Sequence, residues 1–330
     1  MRILIHSYAY LPSIGGIERS TDLLACEWLR RGHEVCILTQ TPADASWEEP
    51  AGLQVVRQPG FREQLKWARW ADRAWQNHLS LRTLLPVVLA RKPVTVTVQT
   101  WLGGQQDREG LMIGFKRQVL RRLRTVAISE AVRSHLGMKV PVIINPVDPV
   151  FFEQQRDEVD AMELLFVGRL VSDKGLNLLL DALARLRVNG AHFRLTIAGE
   201  GPEAAAIDAR IAAESLPVER IGSVQPAEAA ARMARCACLV VPSVWHEPLG
   251  IVALEGLAVG CPVVVSNTGG LGELTRFGAR SFTAGDADSL ADAIRSATVA
   301  QSSRSAAEPP FALERVADAY EQLVGVQPSG

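Results

Sequence analysis

The sequence predicts an α/β protein of two domains, each built on a parallel β-sheet. Three observations lead there. The chain has 330 residues, about two ordinary domains, and 48% of them are apolar, enough for two full cores. Short apolar runs alternate with helical stretches and glycine-bearing turns along most of the length. One segment, Leu239 to Gly272, contains a whole strand–helix–strand unit: Leu239–Val241 stopped by Pro242, a small-residue helix from Leu249 to Val259, and a second run Pro262–Val265 ended by Asn267, Gly269 and Gly270.

From the N-terminus, Arg2–Tyr8 reads as a buried strand. Pro12, Gly15 and Gly16 then lead into a helix over Ile17–Arg31, stopped by Gly32, and His33–Thr39 is a second strand. Strand, glycine loop, helix, strand is the opening of a nucleotide-binding, Rossmann-like fold. A short strand follows at Gln54–Arg57. Phe61 to Trp75 reads as one basic, tryptophan-rich helix, with Arg62, Lys66, Arg69 and Arg73 on one face and Leu65, Trp67, Trp70 and Trp75 supplying bulk. Ser80–Ala90 is a helix and Val94–Gln99 a strand. Lys116, Arg117, Arg121, Arg122 and Arg124 form a second basic run before the strand Thr125–Ile128. Ser129 is placed to cap the next helix.

The first domain is expected to span residues 1–150 and the second 151–310, with 311–330 forming a terminal helix. The linker includes the charged stretch Gln154 to Asp160. Glu163–Val167 opens the second domain, and Gly168-Arg169-Leu170 runs through Ser172-Asp173 to Lys174-Gly175 and a helix to Val188. Arg169 and Lys174 therefore flank the carboxyl end of that domain's first strand, where open α/β sheets bind ligands, and two cations there suit a diphosphate. Phe193–Ala198 leads into Gly199-Glu200-Gly201-Pro202-Glu203-Ala204, formally a dinucleotide fingerprint. It follows the second strand of its domain, and Pro202 stands where a pyrophosphate would sit, so NAD is not expected. Asp286-Ala287-Asp288 opens an Ala-rich helix, Ser289–Ala300, and capping accounts for it without a metal. Gln301 to Pro310 is the one stretch with the composition of a disordered segment.

Charge is unevenly divided. Residues 1–150 hold 20 Lys/Arg against 13 Asp/Glu, and residues 151–330 hold 15 against 23, within a net charge of −1. A basic first half suggests an anionic partner. The five cysteines form no CxxC pair and lack clustered histidines, so they read as reduced thiols of a cytoplasmic protein. The first apolar run is too short for a signal peptide, and no apolar stretch is long enough to cross a membrane.

Two acids interrupt the apolar segment described first. Glu247 precedes Pro248, and Glu255 follows within the helix; Gly250 lies between them and leaves the helix's first N–H groups open to an anion. A ligand with a phosphate centre flanked by hydroxyl-rich groups fits that layout, and a nucleotide sugar is such a ligand. The pattern Glu-Pro-x-Gly-x-x-x-x-Glu between two apolar strands resembles the motif of family 4 retaining glycosyltransferases. Gly-Arg-x-x-x-x-Lys-Gly at 168–175, Ile14-Gly15-Gly16-Ile17-Glu18-Arg19 and the Asn145-Pro146-Val147-Asp148 turn match further parts of that family.

The resemblance implies the GT-B fold: two Rossmann-like domains facing across a cleft, with the C-terminal helix crossing back to the first. It implies retaining transfer of a sugar from a nucleotide-diphosphate sugar, most often a UDP-sugar, to an acceptor hydroxyl in polysaccharide, glycolipid or glycoconjugate synthesis, with no metal. Catalytic roles fall on Glu247, Arg169 and Lys174. Donor contacts fall on Gly15, Gly16, Arg169, Lys174, Ser223, Val224, Glu247, Leu249, Gly250, Ile251 and Glu255. The family's histidine at the end of the fifth strand is replaced by Gln99, which cannot serve as a base, so His78 and Gln99 are candidates for the acceptor side. The partners implied are the donor and a glycan or lipid-linked acceptor, with peripheral membrane contact through the basic half and no nucleic acid. A non-catalytic nucleotide-sugar-binding subunit and a GT-B sugar-nucleotide epimerase remain as alternatives.

Overall fold

A computed structural model describes residues 1–13, 15–44, 47–103, 110–156, 158–299 and 309–324. Ile14 of the glycine loop and residues 301–308 of the stretch expected to be disordered lie outside the described residues. The chain divides into two units, Met1–Pro146 with Pro310–Gly330, and Val147–Pro309.

In the first unit the elements run β1 (Arg2–Ser7), α1 (Gly16–Arg30), β2 (Glu34–Thr39), β3 (Gln54–Arg57), α2 (Phe61–Trp70), β4 (Arg73–Asn77), α3 (Leu81–Leu89), β5 (Val94–Val98), α4 (Leu111–Leu120), β6 (Arg124–Ala127) and α5 (Glu130–Leu136). The sheet order is β3-β2-β1-β4-β5-β6, and the paired strands are parallel throughout. Such a sheet is covered on both faces, so its strands are apolar in nearly every position. Ile3 and Ile5 pack with Leu24, Trp28 and Trp75 on one side, while Leu4 packs with Leu38, Ala68 and Val87 on the other. Ser129 caps α5 as expected, accepting from the backbone of Val132 at 3.1 Å.

The tryptophan-rich helix is shorter than its spacing suggests. It stops at Trp70 because Ala71 turns to extended backbone, and Arg73–Asn77 is a strand in register with Ile3–Ser7. Arg73 therefore leaves the basic helical face. Trp75, 3% exposed, belongs to the core, edge-on to Trp28 with ring centres 5.4 Å apart. Pairing with β1 and burial of the indole outweigh the helical spacing. Trp67 and Trp70 pack edge to face at 5.2 Å, and Lys66 and Arg2 lie over their rings.

In the second unit the elements are β7 (Asp160–Val167), α6 (Leu176–Val188), β8 (Arg194–Ala198), α7 (Ala204–Glu214), β9 (Val218–Gly222), α8 (Pro226–Arg235), β10 (Cys236–Val241), α9 (Ile251–Val259), β11 (Val263–Ser266), the single turn α10 (Gly269–Gly272), β12 (Arg280–Phe282) and α11 (Ala287–Val299). The sheet order is β12-β11-β10-β7-β8-β9, again parallel; counted from β7 it has the same arrangement as the first sheet. The order reverses between β7 and β10 here, and between β1 and β4 in the first unit. α9 is apolar apart from Glu255 and packs hard on the sheet: a Cβ at Gly256 would overlap the side chains of Leu239 and Val263.

The last helix, α12 (Leu313–Val324), is part of the first unit. Its Val316, Ala317 and Tyr320 join that core, and Tyr320 bonds Thr97 at 2.8 Å, the hydroxyl that also accepts from the Trp75 indole. At the end of α1, Arg31 donates to Glu27 at 2.7 Å, to Asp318 at 2.7 Å and to Glu321 at 2.9 Å. Burial pushes the Glu27 carboxyl up, but hydrogen bonds from Arg30 and Arg31 outweigh it and hold the group below its ordinary value. Glu27 and Glu321 are almost fully buried, so removing Arg31 leaves Glu27 with Arg30 alone and Glu321 with only His33 beside it. Arg31→Met is expected to lower the urea unfolding midpoint by an amount corresponding to about 3 kcal/mol; an unchanged midpoint would show that α12 is held by its apolar face alone.

Candidate functional site

In the second unit the loops after β7 and β10 meet where the strand order reverses. Gly175 has φ +70, and a Cβ on it would overlap the carbonyl oxygen of Pro242, so the loop lies flush on the end of β10. Its neighbour Asp173 accepts through its carbonyl from the backbones of Val244 at 3.0 Å and Trp245 at 3.3 Å. This stapling delivers Lys174 to Glu247, with Nζ donating to Oε1 at 2.8 Å. Ser243 Oγ donates to the same oxygen. Glu247 is a buried carboxylate whose charge is compensated from one side by a cation that remains 23% exposed.

Two further glycines hold Glu247 from behind. Gly270 donates its N–H to the Glu247 carbonyl at 2.7 Å, and Cβ atoms on Gly269 and Gly270 would overlap the backbone of Glu247 and Pro248. Leu249 is buried, and Gly250, at φ +93, caps α9 in a left-handed conformation with Leu271 packed where its side chain would be. The helix thus starts at Ile251, two residues later than the spacing predicts, because Gly250 takes left-handed rather than right-handed helical backbone. Glu255 is half-buried, just over one turn along α9, and Arg169 is exposed beside the carboxyl end of β7. The arrangement places two cations, a helix N-terminus and two carboxylates along one edge of the sheet, groups that can bind a diphosphate and the hydroxyls on either side of it. Ser223 (exposed) and Val224 (half-buried) follow β9 at the same edge.

The dinucleotide-like turn has a different purpose. Cβ atoms on Gly199 and Gly201 would overlap the carbonyls of Gly168 and Leu170, and Leu170 donates to the Glu200 carbonyl at 2.9 Å. The glycines make room for the protein's own backbone. Asp286 accepts from the backbones of Asp288 at 2.9 Å and Ser289 at 3.1 Å, the expected cap of α11.

In the first unit Gly15, extended, precedes α1, and Gly16 is its first residue. Gln99, 3% exposed, lies just past β5 in a buried amide triad: its Nε2 donates to Asn77 at 2.6 Å, and its Oε1 accepts from Asn145 at 2.7 Å. His78 adopts φ +78, and its Nδ1 accepts from the Gln99 backbone at 3.4 Å, which leaves the proton on Nε2. Burial, helped by the charge of Lys116, lowers the His78 pKa to about 4. Burial alone does the same to His6 at the end of β1.

Sequence reasoning missed Ser243, Asn77 and His6, and it read Asn145 only as part of a turn. Ser243 stands four residues before Glu247 and was legible as a partner only once the Pro242 turn was known. The asparagines and His6 end their segments without any spacing that singles them out.

Two family models match the chain in tandem: Glycosyltransferase Family 4 over residues 14–151 and Glycosyl transferases group 1 over residues 148–308. The chain belongs to glycosyltransferase family 4. Glycogen synthase of Mycobacterium tuberculosis is 28% identical, the match covering 90% of this chain and 86% of that one. A GDP-mannose-dependent phosphatidylinositol dimannoside mannosyltransferase of the same species is 35% identical over 40% of this chain and 34% of its own. Among solved structures, Anabaena HepE in complex with UDP-glucose superposes with a TM-score of 0.78 at 18% identity, covering 98% of this chain and 99% of that one. The fold of this glycosyltransferase is GT-B, with a Rossmann-like sheet in each unit.

The buried histidines make its stability pH-dependent. Their folded pKa values lie below the unfolded value of about 6.5, so the unfolded chain binds more protons as the medium acidifies. The stabilisation is complete above about pH 6.5 and is lost as pH falls towards 4, at up to about 1.4 kcal/mol per pH unit for each histidine. Urea unfolding between pH 6.5 and 5 should show this slope, and His6→Gln should flatten it; equal slopes would mean that His6 gains a partner on protonation.

Proposed function

We propose that the protein is a retaining glycosyltransferase that moves a sugar from a nucleotide-diphosphate sugar, most simply a UDP-sugar, to an acceptor hydroxyl. The observation that carries this reading is the Lys174–Glu247–Ser243 cluster beside the Gly250 N-terminus of α9. In it, Arg169, Lys174 and the N–H groups of Leu249, Gly250 and Ile251 at the start of α9 take the diphosphate. Glu247 takes hydroxyls of the transferred sugar, Glu255 the ribose hydroxyls, and Ser223 and Val224 border the base. GDP-mannose in one relative's name and UDP-glucose in HepE leave the choice of nucleotide to a binding panel.

The bond from the sugar's anomeric carbon to the phosphate oxygen breaks as the acceptor oxygen bonds to the same face. The acceptor's proton passes to the departing phosphate oxygen, so no protein base is needed. The oxocarbenium-like transition state places negative charge on the diphosphate, and the two cations meet it there. No metal is required for that charge, because Arg169 and Lys174 supply it. The amide of Gln99 is engaged by Asn77 and Asn145, which suits it to holding the strand end in shape rather than to proton transfer.

The test is nucleotide release from a panel of UDP-, GDP- and ADP-sugars, with and without acceptor and with EDTA. Acceptor-dependent release that survives EDTA is expected; binding without turnover would favour a non-catalytic subunit, and interconversion of the donor sugar an epimerase. Glu255→Gln should weaken nucleotide binding about 10- to 100-fold in calorimetry, the worth of a charged hydrogen bond. Unchanged affinity would remove the ribose assignment.

Peripheral membrane contact belongs to the same reading, at a different place from the tryptophans. Leu111, Met112 and Phe115 on α4 are 98%, 59% and 56% exposed, and Arg121 and Arg122 follow them, also exposed. Apolar side chains beside cations suit an anionic lipid surface. No helix among the described residues is long and apolar enough to cross a membrane. Sedimentation should show binding to vesicles with anionic lipid, reduced by high salt and by Leu111→Ser with Phe115→Ser, and little binding to neutral vesicles; equal binding to both vesicle types would end this proposal.

A further inference from the structure

A cavity of about 150 Å³ opens in the first unit at the carboxyl ends of β1, β2 and β4, where its strand order reverses. His6, Gln64, Asn77, His78, Ser80 and Thr83 are its principal polar lining, and no Lys, Arg, Asp or Glu lines it. At about 30 Å³ per water it has the space of about five waters, close to one sugar ring with its hydroxyls.

The lining holds unspent hydrogen-bonding capacity. His6 is 4% exposed, and neither ring nitrogen has a partner. Gln64, 2% exposed, donates to the Pro59 carbonyl at 2.9 Å, but its Oε1 accepts nothing. Behind the lining, Gln76 donates to Thr83 at 3.2 Å while its own Oε1 is likewise unpaired. Each buried polar atom left unpaired costs about 1–3 kcal/mol, and such groups are rare unless something binds them.

The chemistry of the lining says what that something is. Both histidines are neutral at pH 7, so His6 offers one donor and one acceptor, and His78, with Nδ1 occupied, offers the Nε2–H. Gln64 offers an acceptor and Ser80 a hydroxyl, while Thr83 Oγ1, which donates to the Ser80 carbonyl at 3.3 Å and accepts from Gln76, keeps one lone pair. A hydroxyl group, which both donates and accepts, satisfies such a set. A phosphate or carboxylate would enter a buried space with no lining cation to meet it, since Lys116, close enough for its charge to act on His78, is not part of the lining.

We propose that this cavity recognises the acceptor and selects an uncharged, hydroxyl-rich group, such as a neutral sugar or polyol, over phosphorylated or carboxylated ones. The inference rests on the glycosyltransferase reading and adds the class of acceptor. It also separates two roles in a basic unit: the exposed cations face outward, and the recognition cavity is neutral.

The experiment is saturation-transfer NMR on the full chain with methyl α-glucoside and glucitol against glucose 6-phosphate and glucuronate. Neutral probes are expected to bind at least 10-fold more tightly than charged ones, and Gln64→Leu and Thr83→Val, both nearly volume-conserving, to weaken them several-fold. Charged probes binding as well as neutral ones would overturn the proposal. So would neutral probes whose binding is the same in both folded variants, which would leave the cavity to water. If neither variant folds, the selectivity of the unaltered protein still decides. Calorimetry of the unaltered protein with UDP-glucose and GDP-mannose keeps the two readings apart: absence of heat counts against the donor reading, while heat without neutral-polyol binding counts against this one alone.

Discussion

Parallel pairing in one strand order, used twice, is the constraint on which the rest of the structure depends. A parallel sheet needs a crossover between neighbouring strands, and right-handed crossovers send the chain out along both faces from a central reversal. At the reversal the two loops leave in opposite directions and open a crevice at the carboxyl ends. In the second unit this brings the loops after β7 and β10 together, and with them Lys174 and Glu247, which are 73 residues apart in sequence. In the first unit it brings His6 beside His78.

A crevice alone would not hold a side chain to an ångström. That precision comes from backbone pressed on backbone, with glycine wherever a Cβ would intervene. Gly175 lies on Pro242, Gly269 and Gly270 lie on Glu247 and Pro248, and Gly199 and Gly201 lie on Gly168 and Leu170. Together these contacts tie the loops after β7, β8, β10 and β11 into one layer. Glu247 is rigid because both its carbonyl and its carboxylate are engaged. Because the carboxylate is buried while the lysine stays partly exposed, one face of the cation is left for a ligand.

The first unit solves a different problem. Trp75 on the sheet and Trp28 on α1 meet on one face, and α12 covers them with Tyr320, although it is more than 200 residues from β5 in the chain. Tyr320 reaches Thr97, while Arg31 gathers carboxylates from α1 and α12. The amide triad of Asn77, Gln99 and Asn145 likewise joins the ends of β4 and β5 to the segment that leaves the unit.

Much of this was legible in the residues alone, because it depends on local periodicity and local spacing. Apolar runs separated by Gly and Pro reported the strands, since strands buried on both faces have no alternation to disguise them. The Glu-Pro-x-Gly-x-x-x-x-Glu and Gly-Arg-x-x-x-x-Lys-Gly patterns marked the candidate site, because a loop that passes close to another backbone needs glycine at one position. Other features had no local signature. Helical spacing carried Arg73 and Trp75 into α2, whereas pairing with β1 made them strand, a contact across some 70 residues. The partner of Lys174, the engagement of Gln99 and the unpaired nitrogens of His6 depend on which strand lies beside which. The sequence by itself determined the elements and the chemistry at their ends; only the tertiary structure decided which ends meet, because hydrogen bonds between residues distant in the chain exist only after the sheet has formed.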